Sequence, residues 1–159
     1  MKYLLVLPLF VLLLTGCSKK DSEQIIGKWK FEELKSNEGE VMYSTDPAVQ
    51  KKTTDKIVKE QLVMYAGSGI TEDMLRKQIQ EQFKAVGKTT FEFDTKGNVN
   101  VKTNAGNNAN DTKSTYKMDE AKKSIVIKNG DREMKYTYKF DGDKLTMKGE
   151  GESFTLKKA

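Results

Sequence analysis

The chain has 159 residues, a single cysteine, no histidine and a formal net charge of +5. One thiol rules out an intramolecular disulfide, and the lack of imidazole rules out both a histidine-based triad and a histidine-ligated zinc site. The basic excess is nearly all lysine, spread as pairs such as Lys51-Lys52, Lys122-Lys123 and Lys157-Lys158, with Arg76 and Arg132 as the only arginines. Readers of bases and phosphates rely on arginine forks, so nucleic acid is not an expected partner. The lysines read as a solvated surface or, as a weaker alternative, as an attraction to anionic headgroups.

In chain order, residues 1–16 carry one cation, Lys2, then an apolar run over 3–14, then Thr15-Gly16. That run is shorter than the roughly 20 residues a spanning helix needs, so it reads as a cleaved secretory signal. The sequence Leu13-Leu14-Thr15-Gly16-Cys17 resembles the lipobox of bacterial lipoproteins, with bulky apolar residues, small residues at the cut and a thiol to carry diacylglycerol. The resemblance implies that residues 1–16 are a removed signal peptide and that Cys17 is the lipid-attachment site. It also implies a lipid-anchored protein of the bacterial cell envelope. Ser18, rather than an aspartate, follows Cys17 and points to the outer membrane. The competing reading of Cys17, a buried free thiol, conflicts with its polar neighbours Ser18, Lys19, Lys20 and Asp21.

Residues 17–24 form the expected lipidated tether, and its polar part reaches about 25 Å at most when extended. Residues 25–159 have the length of one compact domain, which buries about two-thirds of its unfolded surface. A strand opens after Gly27, with Trp29 and Phe31 on one face and Lys28, Lys30 and Glu32 on the other. Strict alternation would turn Glu33 inward, where a lone carboxylate is costly, so the strand is expected to bulge or reach the rim there. A turn near 36–40 and a brief strand over 41–44 follow.

Over residues 48–87 the period becomes helical. Val58, Leu62 and Tyr65 share one stripe, Gly67-Ser68-Gly69 interrupts, and Thr71 caps a second helix with Leu75, Ile79, Phe83 and Val86 along one face. Alternation then returns in seven runs, marked by Phe91 and Phe93, Val99 and Val101, Tyr116 and Met118, Ile125 and Ile127, Met134 to Phe140, Leu145 and Met147, and Phe154 and Leu156. Turn-forming separators between them predict hairpins, so consecutive strands pair. The expected fold is mainly β: an up-and-down antiparallel barrel of 8–9 strands, curled shut to enclose the aromatic face, with a helical hairpin inserted after the first strands. A two-sheet sandwich is the alternative.

Gly27-Lys28-Trp29 at the start of the first strand, and the closing stretch over 140–158, resemble the lipocalin and fatty-acid-binding protein superfamily and its bacterial lipoprotein members. The resemblance spans 26–158. It implies that Trp29 plugs one barrel end, that Gly27 lets the chain pass close, and that the helical hairpin acts as a lid. A small hydrophobic or amphipathic ligand would then be the partner, besides the membrane reached through the N-terminal lipid. The family's Arg-x-Tyr arrangement for a ligand carboxylate is missing, since the last arginine is Arg132.

The candidate cavity lining is Trp29, Phe31, Phe91, Phe93, Tyr116, Tyr136, Tyr138 and Phe140. The same side chains serve equally as core, because small barrels are often filled by their own residues. A filled barrel would be an interaction or structural module of the envelope. Glu92, Asp94, Asp119 and Asp131 fall on outer faces or turns, which disfavours a paired-carboxylate enzyme. The Asn-rich segment 103–113 has only Asp111 as a charged acid and reads as a hairpin tip rather than a cation site. No enzyme activity, metal or cofactor is expected, and the expected state is a monomer.

Overall fold

The computed structural model describes residues 20–105 and 108–159, so Cys17 and the lipobox lie outside the described residues. The elements run α1 (Asp21–Gln24), β1 (Gly27–Ser36), β2 (Val41–Ser44), α2 (Pro47–Met64), α3 (Glu72–Gly87), β3 (Thr90–Phe93), β4 (Asn98–Ala105), β5 (Asn108–Asp119), β6 (Ser124–Asn129), β7 (Arg132–Asp141), β8 (Lys144–Lys148) and β9 (Glu152–Lys158). Strands β3 to β9 pair in sequence order, all antiparallel, and β9 pairs back onto β1. The result is a closed eight-stranded barrel with β2 as an extra strand.

Strand β1 makes the closure possible by serving three neighbours. One edge takes β9 along Trp29 to Ser36. The other edge is divided, with Gly27 to Lys30 on β3 and Glu33 to Lys35 on β2. The helical hairpin leaves the sheet at that division and returns to it.

The division coincides with a bulge. Phe31 faces Leu156 and Glu33 faces Thr155, which leaves Glu32 unopposed. The extra residue resets the alternation, so Leu34, not Glu33, joins the apolar interior beside Phe154. Glu33 pairs instead with Lys35 at 2.6 Å, and Glu32 pairs with Lys144 at 2.8 Å. The expected conflict of an inward carboxylate is resolved by one inserted residue.

Two stretches differ from the sequence expectation. The Asn-rich segment is strand almost to its tip, with Lys102 opposite Asp111 and Thr103 opposite Asn110. The ladder that starts at Val99 and Val101 carries on through residues of poor strand propensity, because backbone pairing outweighs a weak local preference. Residues 21–24, expected as free tether, form the single helical turn α1 and are tied to the barrel.

Asp46 starts α2 by accepting from the Ala48 and Val49 amides at 2.8 and 3.2 Å, with Pro47 in the first turn. Thr71 starts α3 by accepting from the Met74 amide at 3.3 Å. Leu75, Ile79 and Phe83 bury the expected stripe of α3. On α2 the buried residues are Thr53, Thr54 and Val58, while Tyr65 falls at the cap and is 43% exposed. Arg76 links the helices, meeting Asp55 at 2.5 Å and Glu72 at 2.7 Å.

Two apolar cores follow. Inside the barrel, Val99, Ile125, Leu145, Met147 and Leu156 are fully buried around Trp29 and Phe93. Under the hairpin, Tyr43, Val58, Leu75, Ile79 and Phe83 form a second cluster. Phe31 and Leu34 pack against both.

Candidate functional site

The barrel has a sealed end, where β1 begins and β9 finishes, and a mouth, where the β1–β2 and β8–β9 turns lie. At the sealed end Gly27 has φ +116, a conformation open to glycine, and a Cβ there would meet Lys158 Cε at 3.5 Å. Trp29 then turns inward and donates from Nε1 to the Ile25 carbonyl at 2.7 Å. Ile25 is itself buried and fills the end beneath α1.

Barrel closure sets Lys158 directly opposite Trp29. Its Nζ sits 4.4 Å from the centre of the Trp29 ring and donates to the Gln24 and Ile26 carbonyls at 2.7 and 2.6 Å. A single ammonium thus meets the ring face and satisfies backbone acceptors at the end of α1.

Asp21 holds the other side of α1. Its Oδ2 accepts from Tyr138 Oη at 2.8 Å and from Lys123 Nζ at 2.5 Å, and the Ser22 amide donates to Glu120 Oε1 at 3.0 Å. The Lys123 hydrogen bond outweighs burial and holds the Asp21 carboxyl below its ordinary range. Burial first, and then the bond to Asp21, push the Tyr138 phenol far above its own range. Between α1 and the β7–β8 turn lies a cavity of about 940 Å³, floored by Trp29, Tyr138 and Phe140.

The mouth is aromatic. Phe31, Phe91 and Phe154 stack with centroids 5.9 to 6.4 Å apart, and Tyr136 meets Phe154 edge-on at 5.4 Å. Tyr43 continues the cluster beneath the hairpin, 5.7 Å from Phe31 and 5.4 Å from Phe83. A smaller cavity of about 510 Å³ opens at Tyr136 between Glu133, Met134, Glu150 and Glu152. At the hairpin tip, Val63, Met64 and Met74 are 76%, 72% and 58% exposed.

A third cavity, of about 660 Å³, runs over the outer face past Glu92, Asp94, Asn98, Asn100, Lys113 and Lys128. Among the described residues, Asn100 Oδ1 is the one buried side-chain polar atom without a hydrogen-bond partner. Asp94 is engaged locally, accepting from the Lys96 and Asn98 amides and the Asn98 side chain. No group of three or more acidic, cysteine or histidine side chains among the described residues is arranged to hold a metal ion.

All eight predicted lining residues belong to the one apolar cluster inside the barrel, and they border different cavities. Trp29, Tyr138 and Phe140 line the sealed-end cavity, with Phe140 6.0 Å from Trp29 and 5.6 Å from Tyr138. Tyr136 lines the mouth cavity, and Phe31 and Phe91 belong to the stack beside it. Phe93 and Tyr116 pack edge-to-face at 5.1 Å, and the Tyr116 hydroxyl donates to the Asp94 carbonyl at 2.8 Å. Sequence reasoning missed Asp21, Lys123 and Lys158. Lys158 had a signal, since closing the barrel brings the end of the last strand to the start of the first. Asp21 had none, because nothing local separates it from a solvated linker acid.

The geometry defines a class: a closed antiparallel barrel, plugged at one end by a tryptophan and a helical turn, with a helical hairpin packed on the mouth side. A solved structure with a similar fold is that of a DUF4847 family protein from Bacteroides vulgatus ATCC 8482, with a TM-score of 0.55 over 86% of this chain and 96% of that chain, at 10% identity. At that identity the likeness is one of fold. No family model and no curated relative matches the sequence.

Proposed function

We propose that this chain is a lipid-anchored lipoprotein of the bacterial envelope, held to the outer membrane through Cys17, whose lipocalin-like barrel works by recognition on its outside and not by catalysis. The observation that carries the reading is the occupied barrel interior. Val99, Ile125, Leu145, Met147 and Leu156 fill it, with Trp29 and Ile25 at one end and the Phe31, Phe91 and Phe154 stack at the other. Such packing leaves the outside of the barrel and its ends for contact with partners. The lipobox at residues 13–17 supports the anchor.

Two measurements test this reading. The intact mass of the mature protein should begin at Cys17 and carry acyl chains, and Cys17→Ser should abolish the adduct. An unmodified Cys17 sinks the anchor. Native mass spectrometry after exposure to long-chain fatty acids, which test an apolar interior site alone, should show no molecule retained.

A second reading, an amphipathic ligand held at the mouth, is favoured by the cavity of about 510 Å³ at Tyr136. It predicts a retained ligand that is lost in Tyr136→Ala.

A further inference from the structure

The geometry points to the sealed-end cavity as a site for a zwitterionic phosphoryl-amine group, the headgroup of a phospholipid in the membrane that anchors the chain. The membrane half of this assignment rests on the anchor proposed above. Cys17 precedes Asp21 by four residues, which span about 14 Å when fully extended. A lipid on Cys17 therefore brings α1, and the cavity beside it, to the headgroup layer.

The lining has the chemistry for such a group. Three cations, Lys123, Lys139 and Lys158, and three anions, Asp21, Glu23 and Asp143, border a cavity of about 940 Å³. The balance of sign disfavours a purely anionic ligand, which would face three carboxylates, and equally a simple cation. A ligand carrying both a phosphate and an ammonium meets complementary groups in one site.

Not all six charges are committed to the fold. Asp21 and Lys123 hold each other, Lys158 is bound to backbone carbonyls, and Asp143 faces Lys157 at 3.7 Å. Lys139 and Glu23 are exposed and have no ion-pair partner among the described residues. They are the phosphate-binding and amine-binding groups of the proposal. The floor is aromatic, with Phe140 partly exposed beside the buried Trp29 and Tyr138, and aromatic surface suits the membrane interface.

Trp29 is the chain's only tryptophan and lines the cavity, so its emission reports occupancy directly. The test titrates the full chain, in uncharged detergent micelles, with soluble glycerophosphoethanolamine. A saturable change in Trp29 emission is expected. Glycerophosphoglycerol, which has the phosphate without the amine, and ethanolamine alone should bind at least tenfold more weakly. Lys139→Glu should weaken the response at least tenfold, and Lys113→Glu, in the outer-face groove, should leave it unchanged.

Vesicles of phosphatidylethanolamine should reproduce the emission change, and vesicles of phosphatidylglycerol should not. A silent Trp29, equal binding of the two glycerophosphodiesters, or an unaltered Lys139→Glu variant overturns the site. A response to the soluble headgroup but not to the vesicles overturns its assignment to a lipid. Because the micelle titration does not depend on Cys17, the adduct mass tests the anchor separately. An acylated chain with a silent Trp29 loses this site alone.

Discussion

The two ends of this barrel are closed by different physics. The sealed end is held by directed polar contacts: Trp29 Nε1 to a carbonyl, Lys158 to two carbonyls and a ring, and Asp21 to Tyr138 and Lys123. The mouth side is closed by apolar contact, with stacked phenylalanines and a hairpin whose core is Tyr43, Val58, Leu75, Ile79 and Phe83. Hydrogen bonds fix geometry within tenths of an ångström, whereas apolar packing is non-directional and proportional to area. The contrast teaches that the end covered by α1 is built for position and the far side for bulk. It also accounts for a one-turn helix, too short to be stable alone, that is nonetheless ordered at the sealed end.

The largest expected effect breaks the sealed end itself. Trp29→Ala removes a side chain that is 1% exposed together with its hydrogen bond, and should destabilise by about 3–5 kcal/mol in denaturant titration. A loss below about 1 kcal/mol would mean that Trp29 is not the plug described.

Gly87→Ala probes the mouth side with an unusual sign. Alanine ordinarily strengthens a helix relative to glycine by about 1 kcal/mol. Here the new Cβ would lie 2.4 Å from Tyr43 Oη, on a ring that is buried and packed against Phe83. Overpacking of this kind costs about 1–3 kcal/mol, so thermal unfolding should show a net loss of stability. A stabilised variant would show that Tyr43 moves freely and that the hairpin core is loose.

Asp21→Asn sharpens the comparison through pH. The folded-state carboxyl lies below its ordinary value of 3.8. Its stabilisation is therefore fully present above that value and is lost as the pH falls through the folded value. The wild type should exceed the variant by about 1–2 kcal/mol at neutral pH, with the difference shrinking in denaturant titrations below pH 3.8. A gap that is independent of pH would mean the loss comes from packing rather than charge.

The smallest effect is expected at the hairpin tip, where Met64 is 72% exposed. Met64→Ser should change stability by less than about 0.5 kcal/mol. A larger loss would reveal a tertiary contact holding the tip.

Much of this fold is local and therefore readable. Period-two runs such as Phe91 with Phe93 and Ile125 with Ile127, with turns between them, define strands and hairpins wherever one sheet face is buried. Asp46, Thr71 and the Leu75, Ile79, Phe83 stripe define where the helices begin and which face α3 hides. The conflict at Glu33 was visible as a break in alternation, which is how a bulge announces itself in sequence. The polar linker at 21–24 misled because Asp and Ser are also common in solvated chain. A free acid and the acceptor of two long-range hydrogen bonds share the same local signature.

The sequence by itself determined the strand and helix pattern and the order of the hairpins, because each depends on neighbours a few residues away. Only the tertiary structure decided that β9 returns to β1, that Lys158 covers Trp29, and that Tyr138 reaches Asp21 across 117 residues. It alone decided, too, which members of the shared aromatic cluster border the sealed-end cavity and which border the mouth. The physical reason is shear: strand tilt and register around a closed barrel set which inward side chains meet, and one inserted residue at Glu32 is enough to redirect them.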